Sequence, residues 1–206
     1  MKQGELMSIL TRTPAPAGWV PDAPPSLSGA SEVAVDFETS GLRWYADDRP
    51  IGLAVSWGTR PEESCYLPFG HRGGGNLDEE AVRRWARTEL RGKRIVNLNT
   101  KFDAHFARVW GVDFVELDVT LGDVAHYAAL LDDHRGEGWR RTESPFSLEA
   151  VGLDYAGEGK LKGLLGERMA DYHASEVTAY ARQDARLVLL VSNAQKPLLE
   201  QQGLLK

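Results

Sequence analysis

The sequence has few of the features that mark secreted or membrane-bound proteins. Cys65 is the only cysteine among 206 residues, so an intrachain disulfide and a zinc site built from several thiolates are both excluded. No apolar run reaches the roughly 18 residues that a membrane-spanning helix needs, and the first residues lack the continuous apolar stretch of a secretion signal. We therefore expect an intracellular, cytoplasmic protein without a membrane partner.

Positive charge is also scarce. The 24 Lys and Arg residues are outnumbered by 30 Asp and Glu residues, which gives a formal net charge of -6. A protein that holds nucleic acid mainly by counterion release needs a surplus of cations, so the charge alone argues against that class. The length and the hydrophobic fraction of 42% are those of one globular domain that buries a core without disulfide or metal support.

Proline is concentrated in one segment near the N-terminus. Five of the ten prolines lie between Pro14 and Pro25, among glycines and serines that stop helices and strands from propagating. We therefore divide the chain into a Pro-rich arm over residues 1–30 and one domain over residues 31–206. Trp19 and Val20 are the apolar residues that we expect to anchor the arm.

The periodicity of apolar residues predicts the elements of an α/β domain. Strands are expected at 32–38, 51–57, 64–69, 94–97 and 113–117, and helices at 77–90, 102–110, 123–131, 147–151, 164–170 and 174–199. The three early strands imply hairpins, whereas the later alternation of strand and helix calls for parallel pairing. We therefore predict a mixed five-stranded sheet flanked by helices.

Acidic residues recur at positions that such a fold would bring together. Asp36 and Glu38 are two residues apart at the end of the first strand, so their side chains share one face. Tyr180 and Asp184 are four residues apart in the last helix and share one side of it. Asp103 begins a helix just after a strand, near the end of the sheet where open α/β folds place their sites.

A buried cluster of carboxylates is unfavourable unless bound cations neutralise it. Three or four carboxylates held together away from water repel one another and lose hydration, unless cations neutralise them. Hard oxygen ligands select Mg²⁺ or Mn²⁺. The acidic residues therefore predict a site for divalent metal ions. We assign none of the five histidines to it, because they show no regular ligand spacing.

Three segments in chain order, DFETSGL, NTKFDAHF and YARQDA, resemble the exonuclease motifs of the DEDD superfamily. The likeness is greatest to the 3'-5' proofreading domain of family A (polymerase I-like) DNA polymerases, and it covers nearly all of residues 31–202. The histidine subgroup of this superfamily places its general base five residues before the last aspartate, where this chain has Ala179. Tyr180 therefore indicates the tyrosine subgroup, and the resemblance implies a ribonuclease H-like fold.

The resemblance implies a role for each residue that matches the motifs. Asp36 would bridge two divalent ions, Mg²⁺ or Mn²⁺. Glu38 and Asp184 would complete the tighter metal site, and Asp103 would hold the second ion largely through water. Tyr180 would orient the attacking water.

The same resemblance implies contacts with the substrate. Thr39 and Leu42 stand where the family grips the terminal 3' nucleotide, and Asn99 would steady the substrate or a neighbouring loop. Tyr155 is a candidate for stacking on a base. Asp123 resembles a family acid that organises structure without binding metal, so it is left outside the site.

Several features leave alternatives open. Ser40 stands where many relatives carry a second acid. The polymerase domain that usually follows is absent, so we expect either an excised domain or a free-standing nuclease. Lys160 and Lys162 lie beside the third motif, where contact with phosphate and simple solvation both fit the sequence.

The sequence as a whole predicts a metal-dependent 3'-5' exonuclease that releases nucleoside monophosphates from the 3' end of single-stranded or frayed DNA. We expect a monomer that works with a DNA polymerase domain or subunit. A ribonuclease D-like RNA exonuclease and a non-catalytic domain that binds nucleic acid or supports a polymerase remain alternatives. Two bound ions would add +4 to the formal charge of -6 and leave -2, so phosphate would be met through metal and local contacts.

Overall fold

The computed structural model describes residues 15–137, 144–161 and 168–205. These residues form five β-strands, five α-helices and two short 3-10 turns at Pro61–Glu63 and Met169–Asp171. The strands are β1 (Glu32–Thr39), β2 (Pro50–Ser56), β3 (Ser64–Pro68), β4 (Arg94–Asn97) and β5 (Thr120–Asp123). The helices are α1 (Glu79–Glu89), α2 (Thr100–Trp110), α3 (Val124–Leu131), α4 (Leu148–Ala156) and α5 (Ala174–Gln201).

The five strands form one mixed sheet in the order β3-β2-β1-β4-β5. β1, β2 and β3 pair antiparallel, whereas β4 pairs parallel with both β1 and β5. The α/β fold class predicted from the sequence is therefore confirmed, with the hairpins first and the parallel strands second. Across the described ranges, no helix has both the length and the apolar sequence that a bilayer span requires.

The fifth strand lies later in the chain than expected. Residues 113–117 were predicted as a strand, but they form a turn that is closed by the Leu117 N–H donating to the Asp113 carbonyl, 3.1 Å away. Phe114 and Leu117 are buried in the core beneath this turn. The apolar spacing of the segment therefore reflects packing of a turn, and the strand prediction for 113–117 was wrong.

Some expected features lie outside the described residues. These are the first part of the arm, Lys162 and the beginning of the helix expected at 164–170. The end of that segment is described and forms the 3-10 turn at Met169–Asp171.

The alternation of residues along β1 assigns the two faces of the sheet. Val35 and Phe37 point into a core that also contains residues of α1 and α2. Ala34 points to the opposite face and packs with residues of α3, α4 and α5. Asp36 and Glu38 follow Ala34 at two-residue spacing, so their side chains belong to the face covered by α5.

The described part of the arm lies against the domain. Leu27 is fully buried in the core between the sheet and α1. The Lys93 Nζ donates hydrogen bonds to the Leu27 and Ala30 carbonyls, at 2.8 and 2.7 Å. Of the two expected anchors, Trp19 contacts the His173 ring with 5.2 Å between centres, whereas Val20 is 75% exposed.

One side chain of the arm also reaches the outer strand of the sheet. Asp22 Oδ2 accepts a hydrogen bond from the backbone N–H of Tyr66 in β3, at 2.8 Å. The Arg182 guanidinium of α5 lies 3.6 Å from the other oxygen of Asp22. The arm is therefore joined to both β3 and α5.

Candidate functional site

Four carboxylates from three elements converge near the carboxyl end of β4. Asp36 and Glu38 belong to the end of β1, Asp103 to the first turn of α2, and Asp184 to the middle of α5. Glu38, Asp103 and Asp184 are buried, and Asp36 keeps some accessible surface. The structure thus brings together all four acids that the sequence predicted.

Two side chains continue the hydrogen bonding of β1 where β4 ends. The pairing of β1 with β4 stops at Ala34. Beyond it, the Val35 N–H donates to Asn97 Oδ1 at 3.2 Å, and the Phe37 N–H donates to Asp103 Oδ1 at 2.9 Å. Asn97 was not identified from the sequence, although a buried amide at the end of an apolar strand is a recognisable signal.

Burial and mutual repulsion raise the pKa values of these acids. The pKa of Asp36 is raised to about 7, first by burial and then by the charge of Asp184. Burial also raises the pKa of Glu38 well above its ordinary value, and the charge of Asp36 adds to this effect. The pKa of Asp103 is raised by burial and by Asp36, although the Phe37 N–H favours its charged form. Without a neutralising cation, burial and repulsion therefore favour the protonated forms of these acids.

Lys160 supplies positive charge at one side of the cluster. Its Nζ lies 2.7 Å from Asp184 Oδ2 and donates to the Tyr180 hydroxyl at 2.7 Å. The same Nζ is 4.9 Å from the centre of the Tyr180 ring. Burial lowers the pKa of Lys160, but the charges of Asp184 and Tyr180 outweigh it and raise the pKa. Tyr180 and Asp184 therefore share one side of α5, as their spacing predicted.

Two carboxylate oxygens of the cluster are buried and accept no hydrogen bond from the described residues. Glu38 Oε1 and Asp184 Oδ1 are buried, and neither has a hydrogen-bond partner among the described residues. A buried acceptor without a partner costs about 1–3 kcal/mol. Carboxylate oxygens left open in this way suit Mg²⁺ or Mn²⁺, so the residues present fit the divalent ions that the motifs imply.

The predicted substrate contacts lie at the end of β1 and in the loops after β1 and β4. Thr39 ends β1 just after a register shift in its pairing with β2, and its Oγ1 donates to the Gly41 carbonyl at 2.6 Å. Leu42 follows in the loop and is 77% exposed. Asn99 is exposed, and its backbone adopts the left-handed conformation, with φ of 62°. It immediately precedes the helix that carries Asp103.

Tyr155 lies apart from the carboxylates. Its ring packs under the Arg135 guanidinium, 5.7 Å from the ring centre, and beside Gln195 of α5. Gln195 is 11 residues from Asp184, which corresponds to about 16 Å along a helix. The structure therefore places Tyr155 away from the four acids, and its stacking on a base stays a prediction.

A group of aromatic residues that includes two from the loop after β1 was not identified from the sequence. Trp44 stacks on His105 with 4.0 Å between ring centres and 7° between planes. Tyr45 packs edge-on against Trp44 at 5.5 Å and is 71% exposed. Trp44 and Tyr45 follow Leu42 in the loop after β1, and His105 follows Asp103 by two residues. The adjacent pair of aromatics in a polar loop was the available signal.

A buried polar pair lies on the β3 side of the acidic residues. The Tyr66 hydroxyl and His71 Nε2 are 2.7 Å apart. Burial raises the pKa of Tyr66, and the charges of Glu38 and Asp36 raise it further. Burial lowers the pKa of His71 to about 4. Both groups are therefore neutral at pH 7 and add no charge beside the cluster.

Asp123 joins two helices and has both oxygens occupied. Oδ2 accepts from the Thr100 N–H at the start of α2, and Oδ1 accepts from the Ala125 N–H at the start of α3, both at 2.9 Å. These contacts support the structural role that the resemblance gave to Asp123.

Phage DNA polymerases are similar to this chain in sequence. The DNA polymerase DpoZ of Salmonella phage PMBT28 is 30% identical over 190 residues, covering 87% of this chain and 28% of that polymerase. A DNA-directed DNA polymerase of Pseudomonas phage M6 is 27% identical over 204 residues, covering 87% of this chain and 29% of that polymerase. The chain thus spans less than a third of the length of these relatives. No protein-family model matches the sequence.

Solved structures with similar folds were also found. Brucella melitensis NrnC matches with a TM-score of 0.61 at 17% identity, covering 87% of this chain and 80% of NrnC. NrnC with bound Mg²⁺ gives a TM-score of 0.58 at 16% identity, with the same coverage. The zinc-bound E. coli ExoI complex with single-stranded DNA gives 0.51 at 16% identity, covering 84% of this chain and 42% of ExoI. These matches confirm the ribonuclease H-like fold, and the phage relatives confirm the resemblance to DNA polymerases.

Proposed function

We propose that this chain is a 3'-5' exonuclease domain of the DEDD superfamily, in its tyrosine subgroup. It would hydrolyse phosphodiester bonds at the 3' end of single-stranded or frayed DNA and release nucleoside monophosphates. The observation that carries the proposal is the convergence of four buried or half-buried carboxylates, two of which have unpartnered oxygens, beside Tyr180.

The acids would hold two divalent ions, Mg²⁺ or Mn²⁺. When bound, the ions stabilise negative charge on the phosphoryl oxygens and make water easier to deprotonate. Beyond the effect of burial, the charge of Asp184 raises the pKa values of both Asp36 and Glu38, so these three acids lie close enough together to suit the tighter site. Asp103 is held against β1 by the Phe37 N–H at 2.9 Å and would serve the second ion.

Tyr180 would orient the attacking water. Burial, followed by the charge of Asp184, raises the pKa of Tyr180 above its ordinary value. The hydroxyl therefore keeps its proton at neutral pH and acts as a hydrogen-bonding group. Its contribution is positional.

The surface beside the acids suits a single strand of nucleic acid. Thr39 directly follows Glu38 and Leu42 lies in the loop after it, where a terminal nucleotide would enter. Trp44 and Tyr45 continue the same loop and offer aromatic faces on which unpaired bases stack. A duplex keeps its bases stacked internally, so this surface favours single-stranded or frayed ends.

The similar proteins support the choice of ligands. Among them, NrnC has been solved with bound Mg²⁺ and with pGG, and ExoI with single-stranded DNA. Sequence similarity to phage DNA polymerases favours DNA over RNA and makes a polymerase domain or subunit the partner we propose. We further propose that the domain acts as a monomer, because all four acids and the tyrosine come from one chain.

The test is degradation of a 5'-labelled single-stranded DNA oligonucleotide. We expect a ladder that shortens from the 3' end with Mg²⁺ or Mn²⁺, stops with EDTA, and is lost in Asp36→Ala and Asp184→Ala. Glu116→Ala, which removes an exposed acid outside the site, is the matched control and should keep full activity. Activity that persists in both site variants would overturn the proposal.

The same assay separates the alternatives. An RNA oligonucleotide of matched sequence that is degraded faster than DNA would favour a ribonuclease D-like activity, since the terminal site must then accept a 2'-hydroxyl. Tight binding of single strands with an intact 3' end in fresh Mn²⁺ would favour a non-catalytic domain.

A further inference from the structure

The side chain of Lys160 is positioned by contacts on both sides of its backbone. The Lys160 N–H donates to Glu149 Oε2 of α4 at 2.6 Å. The preceding carbonyl, that of Gly159, accepts from Gln183 Nε2 of α5 at 2.9 Å. Gln183 is the neighbour of Asp184 in α5. The segment is therefore fastened beside Asp184, and the position of the Lys160 ammonium follows from the fold.

The charge of Lys160 acts on more than its direct partner. It lowers the pKa values of Asp36 and Glu38 against the larger effect of burial, and it does the same at Asp184. Lys160 therefore offsets part of the repulsion among the acids when no metal ion is present.

The Lys160 ammonium also pairs with a carboxylate oxygen that could otherwise bind a metal ion. The described residues contain no ready group of three acidic, histidine or cysteine side chains around one metal position. Asp184 Oδ2 is instead taken by Lys160 at 2.7 Å, and Asp184 Oδ1 is left open. A divalent ion bound to this carboxylate would lie close to the ammonium, and two cations at such a distance repel strongly in a buried site.

We propose that Lys160 is an internal cation of the metal centre, which pairs with Asp184 in the metal-free protein and is displaced when a divalent ion binds. Lys160 is thus a positioning residue that lowers the affinity of the site for metal and keeps the empty cluster in place. This inference rests on the proposed function, because it assumes that the acids bind divalent ions.

The test is calorimetric titration of Mn²⁺ into the full chain at pH 8, where protons compete least for the acids. Lys160→Met removes the charge, and Lys160→Gln removes it while keeping a hydrogen-bond donor for Asp184. Both variants should bind Mn²⁺ about 10-fold to 100-fold more tightly than the parent, because hydrogen bonds between charged groups contribute in that range. Their metal-free forms should melt at lower temperature and gain more from saturating Mn²⁺.

Lys196→Met is the matched control. Lys196 Nζ pairs with Glu32 Oε1 at 2.6 Å, at the start of β1 and away from the acids, so its loss should leave Mn²⁺ affinity unchanged. Unchanged or weaker Mn²⁺ binding by both Lys160 variants would overturn the inference, as would an equal gain in Lys196→Met.

The two proposals fail separately. Tighter Mn²⁺ binding by the Lys160 variants together with an intact DNA 3' end in every protein would leave the inference standing and remove the nuclease function. Degradation of DNA by the parent, with equal Mn²⁺ affinity in parent and Lys160 variants, would do the reverse.

Discussion

The carboxylate of Asp103 accepts a hydrogen bond from the backbone N–H of Phe37, with 2.9 Å between Oδ1 and N. Phe37 stands between Asp36 and Glu38 in β1, so one strand fixes three of the four acids relative to one another. The bond also satisfies an N–H group beyond the last residue that β4 pairs. Asp103 therefore has a structural role that needs only an oxygen acceptor, and its proposed role in a metal site would need charge.

Substitutions of Asp103 should separate these two roles. Asp103→Asn keeps an oxygen for the Phe37 N–H and removes one repelling charge, so the metal-free variant should be at least as stable as the parent. Asp103→Ala leaves the N–H buried without a partner and should be less stable than Asp103→Asn by about 1–3 kcal/mol. Urea unfolding in EDTA measures both values. Equal stability of the two variants would contradict the structural role. Both variants should lose nuclease activity, because each removes the charge of Asp103.

Tyr180→Phe should lower turnover while leaving metal binding nearly intact. The variant keeps the ring and loses the hydroxyl that would position water, so we expect kcat to fall about 100-fold with little change in KM. Single-turnover kinetics on a DNA oligonucleotide provide the measurement. Tyr155→Phe is the control and should behave like the parent, since Tyr155 packs against Arg135 and not against the acids. A comparable loss in Tyr155→Phe would contradict this placement.

Trp44→Ala and Tyr45→Ala should weaken binding of single-stranded DNA. Stacking of a base on an aromatic ring contributes about 1–3 kcal/mol, so each variant should raise the Kd about 5-fold to 150-fold. Fluorescence anisotropy in EDTA reports binding without cleavage. Val115→Ala removes another exposed apolar side chain, 85% exposed, and should change nothing. If all three variants bind like the parent, the loop after β1 does not contact the strand.

Stability should depend on pH through His71. Burial lowers the pKa of His71 to about 4 in the folded protein, whereas the unfolded chain has the ordinary value of 6.5. Between these values the unfolded state binds more protons. The contribution of His71 is therefore complete above pH 6.5 and is lost as the pH falls toward 4, by about 3 kcal/mol over the window.

His71→Gln isolates this effect. The amide keeps a partner for the Tyr66 hydroxyl and does not titrate. The acids with raised pKa values act in the opposite direction, losing stability as the pH rises, but they are common to both proteins. Chemical unfolding at pH 7 and pH 4.5 should show a loss for the parent that exceeds the loss for His71→Gln by about 2–3 kcal/mol. If the free energy of unfolding falls equally in both proteins between pH 7 and pH 4.5, protonation of His71 does not destabilise the fold.

The main part of the site followed from local patterns in the sequence. The two-residue spacing of Asp36 and Glu38 and the four-residue spacing of Tyr180 and Asp184 fix which face of strand or helix each side chain occupies. The side-chain direction repeats with the period of the strand or helix, so residue spacing alone predicts which side chains share a face. The strand prediction for residues 113–117 was wrong for a different reason. Apolar residues indicate burial, and burial alone does not distinguish a packed turn from a strand.

Other parts of the site depend on contacts that no local pattern encodes. Trp44 and His105 stack although 61 positions separate them, and Lys160 lies in a Gly-containing connector without periodicity. Asn97 is needed only because β4 stops short of the end of β1. Each of these depends on where two elements meet, which is decided by the packing of the whole domain.

The Asp22 side chain affects the tendency of this protein to aggregate at high concentration. Its carboxylate takes the N–H of Tyr66, the middle residue of the outermost strand β3. An extended chain from another molecule could add to that edge only by expelling the carboxylate and leaving it without its partner. An edge blocked in this way resists strand-by-strand growth into aggregates. We therefore expect Asp22→Ala to precipitate at lower concentration than the parent.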